Sequence, residues 1–204
     1  VKKLKTDPLN LIITGVGGQG NVLISQIIGR ALVNRGFQVS IGETFGLSQR
    51  GGSVQSHVRI SQKRVYSPLI PEGRAHVVLG LEPLETLRIL PLYGRPDLKI
   101  VVNSRPIPPL NVIAGESVYP SVEQLKSALQ DLAAKVWWLN GTAAAQRLGA
   151  AVMANIVLLG ALTAADLLPL DQADLEEALA QVLPAPRLKQ NLTAFRRGLK
   201  LIDS

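Results

Sequence analysis

Residues 9–43 read LNLIITGVGGQGNVLISQIIGRALVNRGFQVSIGE, and the order of residue types in this stretch decides the fold. LNLIIT (9–14) is a short, almost continuous apolar run ending in glycines, the pattern of a strand buried on both faces. After GVGGQG (15–20), apolar residues recur at 23, 24, 27, 28, 31 and 32, one side of a helix. Asn21 can cap that helix and Gly36 can end it. FQVSIGE (37–43) reads as a second strand. Strand, glycine turn, helix and strand within about 35 residues form a βαβ unit, normally a right-handed crossover in a parallel sheet.

Working outward, residues 54–60 alternate: Val54, Ser56, Val58 and Ile60 fall on one face, Gln55, His57 and Arg59 on the other. That pattern predicts a strand with one buried and one polar face, and SQKRVYS (61–67) reads as a turn into a second short antiparallel strand. HVVLGL (76–81) and LKIVVN (98–103) are further buried strands, and EPLETLRIL (82–90) is a helix with Pro83 at its first position. SRPIPPL is extended, because its three prolines exclude helix. SVEQLKSALQDLA (121–133) is an amphipathic helix and KVWWLNG (135–141) a strand at or near a sheet edge. The remainder is helical over about 142–166, 171–182 behind Asp171, and 186–202. The expected architecture is α/β: one Rossmann-like, three-layer domain over 1–204, with a mainly parallel sheet, some antiparallel edge strands and a helical segment (142–204) packed on it.

Composition narrows the chemistry. The 204-residue chain has 47% hydrophobic residues, enough for a packed core, and no cysteine. Disulfides, thiolate zinc sites and cysteine-ligated iron–sulfur clusters are therefore excluded within it. Two histidines, His57 and His76, give no histidine-rich metal site. The net charge of +7 is spread along the chain, and three Phe and three Tyr offer little stacking surface, so no nucleic-acid partner is expected. The opening VKKLKTDPLN lacks an apolar signal core, the reading of a cytoplasmic protein. LGAAVMANIVLLGALTAA (148–165) is uncharged and reaches the lower limit of a spanning helix, yet it holds Asn155 and Thr163 and is rich in Ala and Gly. It reads as a buried helix packed closely on a sheet or a subunit partner. In the last helix, Lys189, Arg196, Arg197 and Lys200 make a basic face that is either solvated or docks an acidic partner.

GVGGQG satisfies G-x-G-x-x-G between a strand and a helix, where backbone N–H groups are free to meet an anion. Glu43 stands near the place of a ribose-binding acid, which opens the reading of a nicotinamide- or flavin-binding reductase. Against it, Gly18 and Gln19 put an extra glycine and an amide inside the turn, and Glu43 leads into the polar loop Ser48-Gln49-Arg50-Gly51-Gly52-Ser53 instead of a crossover helix. Arg50 with the N–H groups of Gly51 and Gly52 is suited to an anion nest for a carboxylate, a phosphate or an acidic side chain. No Ser-His-Asp spacing, Walker lysine or thiamine motif is present, and the chain does not look like a complete enzyme.

GVGGQG (15–20), ETFGLSQRGGSVQSHVRIS (43–61), VYSPLIPEG (65–73) and VVLGLEPLETLR (77–88) together resemble the small (beta) subunits of indolepyruvate ferredoxin oxidoreductases, within the gamma-domain class of 2-oxoacid:ferredoxin oxidoreductases. NSRPIPP (103–109) and AVMANIVLLGAL (151–162) are similar to the same family, and the resemblance runs from about 10 to 200. It implies an accessory catalytic subunit for oxidative decarboxylation of an arylpyruvate, inactive alone, with coenzyme A as acyl acceptor and ferredoxin as electron acceptor. Thiamine diphosphate and the iron–sulfur clusters would sit on a large partner subunit, with no cofactor bound by this chain alone; a homodimer in isolation stays open. Ser48, Gln49, Arg50 and His57 are the candidate catalytic residues. Gly17, Gly18, Gln19, Gly20, Gly51, Gly52 and Arg59 are the candidate ligand-binding ones. A non-catalytic assembly subunit remains the other alternative.

Overall fold

Strands β1 (Leu9–Val16), β2 (Gln38–Phe45), β3 (Ser53–Ser61), β4 (Val77–Gly80), β5 (Lys99–Asn103) and β6 (Lys135–Leu139) form one sheet in the order β2-β3-β1-β4-β5-β6 in the computed structural model, which describes residues 4–46 and 52–202. β1, β4, β5 and β6 pair in parallel, whereas β3 is antiparallel to both β1 and β2. The helix α1 (Asn21–Asn34) joins β1 to β2 as the sequence predicts. The two strands are not neighbours, however: β3 is threaded between them, so the antiparallel strand is internal and β2 is the edge.

Alternation along the strands sends side chains to two cores. Leu11, Ile13, Val58, Leu79 and Val101 pack under α1, α6 (Ala154–Ala164), α7 (Gln172–Val182) and α8 (Ala185–Leu199). Ile12, Val78, Ile100 and Val102 pack on the opposite face under α2 (Pro83–Tyr93) and α4 (Val122–Leu132), with the short α3 (Leu110–Ile113) before α4 in the chain, giving three layers. The chain leaves α1 through Gly36, with Gly36 N donating to Val33 O and Phe37 N to Leu32 O, a Schellman closure that buries Phe37 against the core. Arg35, just past that end, pairs with Asp171 and Asp174, the two residues of the capping box that starts α7.

Three local expectations change. Both faces of β3 are buried in its second half, because 62–76 folds over the polar face instead of forming a second strand. Arg59 holds that cover: its Nη1 donates to Ser67 O and Leu69 O, its Nε to Asn10 Oδ1, and its guanidinium stacks 4.8 Å from the Tyr66 ring. Pro68 and Pro71 lack the N–H groups a ladder needs. The 142–166 helix is broken into α5 (Gly141–Gln146), a 3-10 turn at Ala151–Met153 and α6.

α6 is the buried helix foreseen in the uncharged segment, and no described helix is long and apolar enough to cross a membrane. It crosses α8 at Gly160 and Gly198, where a Cβ on Gly160 would lie 2.1 Å from Phe195 O and one on Gly198 would lie 1.9 Å from Val157 O. The glycines are there because the two backbones touch.

Candidate functional site

β1, β2, β4 and β5 run in the same direction, so their carboxyl ends share one edge of the sheet, the usual ligand edge of an α/β fold. Gly17 N donates to Gly52 O at 2.9 Å, and Gly46 N to Ser53 O at 2.7 Å. The first bond holds the second glycine loop against the first, and the second draws that loop's own two ends together. Ser48, Gln49, Arg50 and Gly51 lie outside the described residues; Gly17, Gly18, Gln19, Gly20 and Gly52 are all at this edge.

Gln19 folds its side chain inside the turn. Its Oε1 accepts from Val16 N at 2.8 Å, and its Nε2 donates to Leu81 O, at the end of β4, at 2.9 Å. Asn103, ending β5, donates to the same carbonyl at 3.3 Å and to Thr142 Oγ1 at 3.0 Å. The strand ends are thereby laced to one another and to the start of α5. Asn21 does not cap α1: Gly20 is the cap residue, no side chain bonds there, and Asn21 Nδ2 instead donates to Val54 O on β3. Gly20 has φ +87°, and a Cβ on it would fall 2.3 Å from Asn155 Nδ2. Glycine is required here by backbone conformation and by the approach of α6 together.

A cavity of about 450 Å³ opens between Gly18–Gln19, the extended segment 105–108 and the start of α6. A second groove, about 600 Å³, lies on the other side of Gly17–Gly18 beside Phe45, Gly46 and Val54, with Phe45 66% exposed. The wall at 105–108 is tied down by Glu82, whose carboxylate follows β4 and is almost fully buried. Its Oε1 accepts from Ile107 N and from the Tyr119 hydroxyl, and its Oε2 accepts from Glu85 N. Burial pushes the Glu82 carboxyl above the usual glutamate range, against the opposing pull of those donors, and pushes the Tyr119 phenol up as well.

His57 and Arg59 lie elsewhere. They pair with Ile12 and Asn10, well down β3 from the glycine edge, on the face that 62–76 covers. His57 Nδ1 accepts from Ile70 N, its ring meets Tyr93 edge-on at 5.1 Å, and Nε2 has no partner among the described residues. Burial pulls its pKa below the ordinary histidine value. Arg59 is occupied with the cover described above. Glu43 accepts from Ser25 Oγ and Ser56 Oγ, and β3 separates its strand from β1. Among the described residues no group of three His, Cys, Asp or Glu could hold a metal ion.

Sequence reasoning did not select Asn155, Arg105 or the Glu82–Tyr119 pair. Asn155 carried a signal, a lone amide in an otherwise apolar helix. Its contact with Gly20 is tertiary and invisible to periodicity.

A family model described as pyruvate ferredoxin/flavodoxin oxidoreductase matches residues 10–201. The chain is 36% identical to an indolepyruvate oxidoreductase subunit IorB of Thermococcus kodakarensis, covering 94% of each chain. It is 37% identical to the subunit of the same name from Archaeoglobus fulgidus, covering 93% of each. Among solved structures it resembles a keto/oxoacid ferredoxin oxidoreductase gamma subunit from Geobacter sulfurreducens, with a TM-score of 0.68 and 21% identity over 95% of this chain and 98% of that one. It also superposes on part of a 2-oxoglutarate:ferredoxin oxidoreductase from Magnetococcus marinus, with a TM-score of 0.73 and 20% identity over 98% of this chain and 32% of that one. At such identities these structures establish the shared fold.

Proposed function

This chain belongs to the pyruvate ferredoxin/flavodoxin oxidoreductase family, and from that premise we propose that it is the accessory catalytic subunit of a 2-oxoacid:ferredoxin oxidoreductase of the indolepyruvate type. A large partner subunit carries thiamine diphosphate and the iron–sulfur clusters in this reading. The 2-oxoacid loses carbon dioxide, its acyl group passes to coenzyme A, and the electron pair passes to ferredoxin through the partner. The present chain closes the cavity in which this occurs with its glycine edge, and Ser48, Gln49 and Arg50 are its candidate catalytic residues.

The observation that carries the reading is the Gly17–Gly52 bond, which fuses the two glycine loops into one concave edge with cavities on both sides. The absence of cysteine from the sequence agrees, since the clusters such a reaction needs require ligands from another chain. A free-standing dinucleotide reductase is supported less well, because Gln19 fills the turn and Glu43 is bonded to Ser25 and Ser56.

Co-expression with the large chain tests the proposal. Arylpyruvate-dependent ferredoxin reduction is expected only when both chains are present, and full activity from the large chain alone refutes it. Arg50→Ala then separates catalysis from assembly: loss of turnover in an intact complex supports a catalytic edge, while loss of the complex favours an assembly role.

A further inference from the structure

At the amino-terminal ends of β1, β4 and β5 the sheet opens on a cavity of about 480 Å³ that neither glycine loop lines. β1 runs eight residues from this end to the glycine edge, about 23 Å at the rise of a strand, so the two sites are distinct. Leu9, Val77, Leu168 and Pro169, all buried, make the floor. Lys5, Lys99 and His76 stand around it. Neither lysine ammonium has a partner among the described residues. His76 Nδ1 accepts from Asn10 N at 3.0 Å. Burial first, and then Arg95, hold the His76 pKa below the ordinary histidine value, with Asp97 pulling the other way. The ring proton is therefore on Nε2, a donor with no partner among the described residues. Two carboxylates share the rim, and both are engaged: Asp97 Oδ1 accepts from Arg95 Nε, and Asp166 also has a partner. The uncommitted charges are both positive and stand over an apolar floor, the make-up of a pocket for a small anion with an apolar body.

We propose that this cavity binds an apolar monocarboxylate, its hydrocarbon body on the floor and its carboxylate against Lys99, Lys5 and His76 Nε2. An ammonium is a compact charge on a flexible stem, so two lysines can close on a carboxylate without the fixed geometry an arginine imposes. α6 links this site to the other end of the sheet. Its first turn carries Asn155, beside Gly20, and its far end leads into Leu167 and Leu168 at the cavity, so a ligand here rests on the helix that touches the first glycine loop. The site is apart from the glycine edge and stands or falls independently of the accessory-subunit reading.

Sodium octanoate, octan-1-ol and octylamine carry one body and three head groups, and titrating each into the full chain while recording amide ¹H–¹⁵N spectra tests the site. Octanoate is expected to bind about fivefold tighter than octan-1-ol, the scale of a partly exposed ion pair, and octylamine weakest of the three. The shifted amides should be those of His76, Val77, Lys99 and Leu168, with Gly17, Gly18 and Gly20 unmoved. The double variant Lys5→Met, Lys99→Met should lower octanoate affinity to that of octan-1-ol and leave octan-1-ol unchanged. Lys5 is exposed and Lys99 half-buried, and retained octan-1-ol binding shows that the cavity is intact in the variant. Octanoate and octan-1-ol binding alike, a preference for octylamine, octanoate binding indifferent to both lysines, shifts centred on the glycine edge, or no binding of any of the three overturns the proposal.

Discussion

Adding one methyl group at Gly160 tests how much stability resides in the α6–α8 crossing. The new Cβ would stand 2.1 Å from Phe195 O, so the helices must part by about 1.3 Å to restore a contact near 3.4 Å. The obstacle is backbone carbonyl, and no rotamer can relieve it. A gap of this order forfeits a quarter to half or more of the dispersion contact along the seam. That seam includes Phe195, the largest fully buried side chain. Overpacking of this kind costs about 1–3 kcal/mol, at the upper end here, against about 1 kcal/mol gained from replacing a mid-helix glycine. The net loss is about 2 kcal/mol, or about 4–8 °C in Tm for a chain of this size. Gly29→Ala is the internal control. Its Cβ meets only the mobile Cδ1 of half-exposed Ile41, at 2.8 Å, so the helix gain survives and Tm stays level or rises. Thermal and urea unfolding of both variants decide the matter. Gly160→Ala as stable as wild type, or the two variants shifting alike, refutes the close-crossing argument.

The buried Glu82 has its pKa raised on folding, so folding favours its protonated form. That contribution is full below the ordinary glutamate value of 4.5 and is lost as pH rises through the folded pKa. The stability of wild type relative to Glu82→Gln should therefore decline as pH is raised from 4 to 8, read as the difference in urea midpoints; a pH-independent difference contradicts it. Gln19→Ala removes the acceptor of Val16 N and one of the two side-chain donors to Leu81 O and should cost about 1–2 kcal/mol, with faster amide exchange at Val16; unchanged protection there would show that the bridge is dispensable. Arg59→Met leaves Asn10 Oδ1, Ser67 O and Leu69 O without their donor. It should destabilise by about 2–4 kcal/mol and expose 62–76 to limited proteolysis, whereas wild-type cleavage kinetics would show that the cover is held otherwise.

Much of the architecture was legible because local chemistry specified it. LNLIIT, the three-four spacing over 23–32 and the Gly36 stop give β1, α1 and its end without any tertiary information. The insertion of β3 was not legible, since alternation states which faces a strand has but not which strands flank it. His57 and Arg59 read as the polar face of a strand because of their side chains; Arg59 is in fact buried by the carbonyls it gathers from 67 and 69. At the candidate site, the first glycine loop and the ends of the second were visible as motifs. Gln19 was visible only as a polar residue, and its role as a bolt between β1 and β4 needs the position of Leu81. Arg105 looked like one cation in a proline-rich connection, and Asn155 like a flaw in an apolar helix, until the fold placed them on one cavity.

The antiparallel insertion has a consequence for the order in which the molecule assembles. β2 and β3 follow one another closely and pair in register from Gln38–Ser61 to Phe45–Val54, so they can zip as a hairpin with little loop-closure entropy. β1 has no such local partner: Leu9 must find Ile60 on one side, and Leu11 must find Val77 on the other. The strand that carries GVGGQG is thus the last of the three to gain its neighbours, and the glycine edge is completed only when the long-range contacts close. In kinetic terms, substitutions in the hairpin are expected to slow folding and substitutions at Gly17 mainly to speed unfolding, read from the two arms of a chevron plot.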